Sequence, residues 1–107
     1  MKVPDRGNII VMNFSPTVGH EQSGIRPAIV VTPAEFNEQG LAFVCPITNT
    51  RRGHFFEIEV RGQKTDGVAL LYNLRSIDYV SRGAKIVDKV DKKTLREILD
   101  KVKIILE

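Results

Sequence analysis

At 107 residues, with 42% hydrophobic and 27% charged residues, the chain has the makeup of one globular domain spanning residues 1–107, which excludes global disorder and a collagen-like repeat. No apolar run approaches the roughly 20 residues that a membrane span needs. Sixteen Lys and Arg against 13 Asp and Glu leave a formal charge of +3, an excess that suits an anionic partner without demanding one.

The opening "MKVPDRGN" has no apolar signal core and predicts a cytoplasmic protein. "NIIVMNF" (8–14) and "PAIVVT" (27–32) are short, β-branched and almost continuously apolar, the pattern of strands buried on both faces. Between them lies the polar, flexible run "SPTVGHEQSG", which carries His20 and Glu21 and leads to Arg26 at the mouth of the second strand. "PAEFNEQG" reads as a turn or one short helical turn, and "LAFVCP" (41–46) as a third strand. The segment "ITNTRRGH" has Arg51, Arg52 and His54 with no acid; it is either a phosphate-contacting loop or a solvated turn. "FFEIEVRG" alternates, with Phe56, Ile58 and Val60 on one side and Glu57, Glu59 and Arg61 on the other, so it predicts a strand with one wet face. Asp66-Gly67 signals a turn, "VALLY" a fifth strand, and "SIDYV" with "AKIVDKV" a further hairpin around Ser81-Arg82-Gly83. The final segment changes period: Leu95, Ile98, Leu99, Val102 and Leu106 share one face of a helix with Asp91 as N-cap. Strands without βαβ alternation, ending in a helix, predict a mainly β fold, a small antiparallel barrel or strongly bent sheet carrying a packed helix.

No metal-ligand constellation or P-loop is present, so any transfer chemistry would run on side chains alone, without a cofactor. The lone Cys45 cannot form an internal disulfide, and inside an apolar strand it reads as a buried thiol rather than a nucleophile for His54. His20 and His54 carry imidazoles, the side chain suited to act as base and acid, or are simply solvated. Arg26 next to a core strand must either pair with an acid such as Glu21 or Asp78, or present its planar guanidinium to an anion such as a phosphodiester. Thr48, at the end of a predicted strand, either donates its hydroxyl to a phosphate oxygen or caps the following turn.

Three stretches, "GNIIVMNFSPTVGHEQSGIRPAIVVTP" (7–33), "VCPITNT" (44–50) and "DGVALLYNLRSIDY" (66–79), together resemble the MazF/PemK family of type II toxin–antitoxin modules. The resemblance implies an SH3-like barrel, a homodimer, and cleavage of single-stranded mRNA to 2′,3′-cyclic phosphate and 5′-hydroxyl ends. It also implies inhibition by an antitoxin with an acidic C-terminal tail. On this likeness Arg26 and Thr48 are the catalytic pair, Glu21 supports them, and His20 is a proton-transfer candidate. Arg51, Arg52, His54, Tyr72, Asn73 and Arg75 are the expected RNA contacts. Tyr72-Asn73 departs from the Asp-Gln usual in the family, so Tyr72 is either a stacking platform for a base or a core tyrosine. Two rival expectations share the barrel: a gyrase-poisoning toxin like the CcdB family, and a non-catalytic barrel that binds RNA or protein.

Overall fold

The computed structural model describes residues 2–16, 18–22 and 24–107. Among the described residues seven strands form one curled antiparallel sheet: β1 (Asn8–Asn13), β2 (Ile25–Val30), β3 (Leu41–Thr48), β4 (Glu57–Arg61), β5 (Asp66–Leu70), β6 (Arg75–Asp78) and β7 (Lys85–Lys89). A four-residue helix α1 (Ala34–Asn37) sits between β2 and β3, and α2 (Lys92–Leu106) ends the chain. The sheet runs β4-β5-β3-β2-β1-β7, with β6 paired to the first half of β3. The expected small barrel with a C-terminal helix is therefore present.

The continuous apolar runs are explained by two cores. Ile9, Ile29 and Cys45 point into one cluster, closed by Ile58, Val60, Leu71 and the α2 residues Ile98 and Val102. Their sequence neighbours Ile10, Ala28 and Val44 point the other way, into a cluster with Met12, Phe14, Ile77 and Tyr79. Side chains alternate along a strand, so a sheet with a core on each face needs apolar residues at every position. Helix α2 packs Ile98 and Val102 while Asp91 caps its N-terminus by accepting from the Thr94 N–H at 2.7 Å. Leu106, on the expected apolar stripe, is exposed.

The curled sheet closes through one carboxylate. Asp88 of β7 accepts the backbone N–H groups of Gln63, Lys64 and Thr65 at 2.7–3.0 Å, beside a bridge between Gly62 and Val90. A Cβ at Gly62 would lie 2.4 Å from the Asp88 carboxylate, so this contact requires glycine. Burial alone would raise the Asp88 pKa, but the N–H donors of Lys64, Lys89 and Gln63 and the Thr65 side chain outweigh it and hold the group at about 2.

Three local expectations are corrected. Asp66-Gly67 is the start of β5 rather than a turn, and the reversal lies at 62–65, where Asp88 supplies the acceptors. The fifth strand stops at Leu70, because Leu71–Asn73 form a 3₁₀ turn that lets Tyr72 leave the sheet. The two segments flanking Ser81-Arg82-Gly83 are not a hairpin. β6 pairs with β3 and β7 with β1, since each completes an open edge of a different part of the curled sheet.

Candidate active site

Strand register brings the candidate residues together. Ala28, Ile29 and Val30 pair with Pro46, Cys45 and Val44, and two residues beyond the last of these pairs the strands carry Arg26 and Thr48. Both continue rows of side chains that belong, further along, to the second core, so the pair stands where that core opens to solvent. They line one cavity of about 240 Å³ with Gln22, Thr50, Arg52, Leu70 and Tyr72. A second cavity, of about 190 Å³, holds Glu21, Asn73 and Arg75, and a third, of about 560 Å³, holds His20, Arg52, His54 and Glu57. Gln22 and Tyr72 line all three, so the cavities adjoin as one groove.

Each wall has an identifiable support. Gly67 lets β5 lie against the end of β3: its φ is +150° and a Cβ there would lie 2.7 Å from the Thr48 carbonyl oxygen. The Thr48 hydroxyl oxygen accepts from the Thr50 N–H at 3.3 Å, which caps the turn and leaves the hydroxyl able to donate. The two readings of Thr48 are thus compatible. The loop bearing His20 and Glu21 is pinned at its base: Phe14 N–H donates to the Gly24 carbonyl at 2.9 Å, and Arg82 donates to the carbonyls of Asn13 and Ser15. Thr17 and Ser23 of that loop lie outside the described residues. Of the acids considered as counter-ions for Arg26, Glu21 accepts from Val18 N–H at 2.8 Å and Asp78 from Ser81 N–H at 3.0 Å.

The far wall is aromatic. Tyr72 is 43% exposed and therefore not a core residue; that role falls to Tyr79, whose hydroxyl donates to the Asn37 carbonyl. The Tyr72 hydroxyl donates to Glu57 at 3.0 Å, and its ring meets His54 edge-on with centroids 5.0 Å apart. Partial burial, then the bond to Glu57, pushes the Tyr72 phenol above its ordinary value. Phe56 N–H donates to His54 Nδ1 at 3.1 Å, which orients the ring. Lys101 of α2 donates to the Phe55 carbonyl at 3.0 Å and lies 4.0 Å above the Phe55 ring, which ties this loop to the helix.

Arg51 lies apart from the groove. Its guanidinium grips Glu59 at 2.7 and 3.0 Å and reaches Asp66 at 3.4 Å. Cys45 is buried, and burial pushes its thiol up to about 12, a state without nucleophilic character at neutral pH. Gln22 and Glu57 were not among the sequence candidates. Gln22 sits in a run with no periodicity, and Glu57 reads as one more acid on a wet strand face. Among the described residues no helix is long and apolar enough to cross a membrane, and no group of three or more His, Cys, Asp or Glu side chains is arranged to hold a metal ion.

Comparison with known proteins bears on this groove. Residues 5–106 match the model of a family described as PemK-like, MazF-like toxin of type II toxin–antitoxin system. The chain belongs to this family. It is 38% identical over 105 residues to the endoribonuclease toxin MazF of Escherichia coli strain K12, covering 97% of this chain and 95% of that protein. It is 37% identical over 108 residues to the endoribonuclease PemK of Escherichia coli, covering 95% and 81% respectively. Among solved structures, MazF of Deinococcus radiodurans superposes with a TM-score of 0.92 at 37% identity, over 99% of this chain and 98% of that one. A MazE–MazF structure from the same organism superposes with a TM-score of 0.86 at 37% identity, over 99% and 97%. The MazF/PemK fold expected from the resemblance is thereby supported by sequence and by structure.

Proposed function

We propose that this chain is the toxin of a type II toxin–antitoxin pair and an endoribonuclease whose groove holds single-stranded RNA across the Arg26–Thr48 pair. The observation that carries the reading is the shared cavity of Arg26 and Thr48, flanked by Arg52, His54 and Tyr72, in a chain whose relatives are endoribonucleases.

The reaction is a transesterification in which the ribose 2′-oxygen attacks the adjacent phosphorus and the 5′-oxygen leaves, giving a 2′,3′-cyclic phosphate and a 5′-hydroxyl. The nucleophile belongs to the substrate, so no protein nucleophile is needed. Charge builds on the non-bridging oxygens of the phosphorane, and fixed donors aimed there lower the barrier, each by about 3 kcal/mol in a site that excludes water. Arg26 and the Thr48 hydroxyl take that role. The arginine side chain is charged throughout the neutral range, so it holds charge rather than moving protons. His20 is assigned to proton transfer and Glu21 to support of the loop that carries it. Arg52, Arg75 and Asn73 contact the RNA, and the Tyr72 and His54 rings supply faces for unstacked bases. Growth inhibition follows from loss of intact mRNA in the cytoplasm. The same basic groove suits the acidic tail of an antitoxin, and a homodimer is the assembly expected of the family.

The test is incubation of purified protein with a long RNA in excess EDTA, followed by mapping of the 5′ ends. Discrete sites bearing 5′-hydroxyl groups are expected. Intact RNA would overturn the reading and favour a gyrase-directed or purely binding barrel.

A further inference from the structure

A carboxylate in a groove for a polyanion is electrostatically unfavourable, yet Glu57 lines this one beside Arg52, His54, His20 and Tyr72. Its contacts show what offsets that cost. One oxygen accepts the Arg52 backbone N–H at 2.9 Å and the other accepts the Tyr72 hydroxyl at 3.0 Å. The first bond fixes the loop that carries Arg52 and His54; the second fixes the aromatic side chain that lines all three cavities. The loop and the 3₁₀ turn are far apart in sequence, and this carboxylate joins their groove-lining residues directly.

We propose that Glu57 is a positioning residue for RNA binding: it sets the Tyr72 ring and the Arg52–His54 loop in one arrangement, so that base-stacking face and phosphate-binding cation are presented together before RNA arrives. The inference rests on the ribonuclease reading above and concerns how that groove is held. Preorganisation of this kind acts on affinity, because ordering that the free protein has already undergone is not charged against binding. The bonds are charge-assisted, the stronger class, and removing their shared acceptor frees both walls at once. A glutamine keeps a carbonyl oxygen and an amide at the same reach, so it preserves part of the arrangement while an alanine preserves none.

The experiment measures dissociation constants for a single-stranded RNA with 2′-O-methyl riboses, which cannot supply the attacking hydroxyl, against wild type, Glu57→Ala, Glu57→Gln, Tyr72→Phe and the Glu57→Ala/Tyr72→Phe double variant. The Tyr72 phenol is titrated in parallel by ultraviolet absorbance. The chain has two tyrosines and no tryptophan, so the buried Tyr79 serves as the internal control. Glu57→Ala is expected to weaken binding about tenfold, the loss associated with a hydrogen bond to a charged group, and to lower the Tyr72 phenol towards its ordinary value. Glu57→Gln should recover most of the affinity, and the double variant should bind no more weakly than Glu57→Ala, because residues acting as a unit are not additive. Wild-type affinity in Glu57→Ala, an unmoved phenol, or additive losses in the double variant would each overturn the proposal. Wild-type protein that binds the methylated RNA but leaves cleavable RNA intact would overturn the endoribonuclease reading alone, and the affinity series would still decide the role of Glu57. Protein that binds no RNA would overturn both.

Discussion

Arg26 of β2 and Thr48 of β3 lie two residues beyond Ala28–Pro46, the last paired rung of their antiparallel strands, and line one cavity. A cationic fork and a hydroxyl that line the same cavity are placed to grip one tetrahedral anion. The consequences of that arrangement can be measured.

Arg26→Ala is expected to reduce the cleavage rate by a factor of about 10² to 10³, the effect of removing one fixed transition-state donor, while the melting temperature stays within a few degrees. Single-turnover kinetics and a thermal melt on the same preparation check it, and a folded variant that cleaves normally would rule out the assignment.

Thr48 separates the two uses of its oxygen. Thr48→Ser retains both the bond from Thr50 N–H and a donor, so near wild-type rates are expected; Thr48→Val keeps the shape but loses the hydroxyl and should slow cleavage by at least about tenfold. Equal rates in the two variants would leave Thr48 as a turn cap only.

The adjacent arginines should behave differently. Arg52 lines the groove, whereas Arg51 is engaged by Glu59 and Asp66. Replacing Arg52 by Ala is expected to reduce the slope of log affinity against log salt by about 1, and replacing Arg51 should change it much less. Matching slopes for the two variants would refute this division.

Asp88 gives a pH dependence with a definite sign. Its folded pKa, about 2, lies below the ordinary 3.8, so its stabilisation is complete above the ordinary value and is lost as pH falls towards about 2. Solvent at the barrel rim screens the group, so the expected contribution is about 1 kcal/mol. Denaturant melts of wild type and Asp88→Asn should differ near neutral pH and converge in acid; a constant difference would exclude the linkage.

Gly67→Ala should destabilise the protein by about 2 kcal/mol and impair cleavage together, because the new Cβ collides with the Thr48 carbonyl and the φ of +150° disfavours any side chain. Loss of stability with full activity would show that Thr48 keeps its place without close support from β5.

Local pattern explains where sequence reading succeeded. Core strands, the short α1 turn and the amphipathic α2 follow from apolar periodicity and from Asp91 as a cap, features that each segment carries by itself. The pairing of β6 with β3 and of β7 with β1 was not legible, since any two short apolar segments either side of a Ser-Arg-Gly turn read as a hairpin. Asp66-Gly67 misled for a related reason: the glycine serves close packing on Thr48, which lies far away in sequence. At the site, Arg26 stood out as a cation beside a buried strand. Gln22 and Glu57 did not, because a loop amide and a strand acid acquire their roles only when the 3₁₀ turn at Leu71–Asn73 brings Tyr72 into the groove that they line.

β3 is paired along both edges, with β2 on one side and β6 followed by β5 on the other. Amide protons in such a strand exchange with solvent only through the rarest openings. Thr48 therefore stands at the end of a slow-exchanging ladder, paired there with Val68 of β5. An anion bound there meets a seat whose backbone opens only rarely, beside a loop that Glu57 holds through the Arg52 N–H.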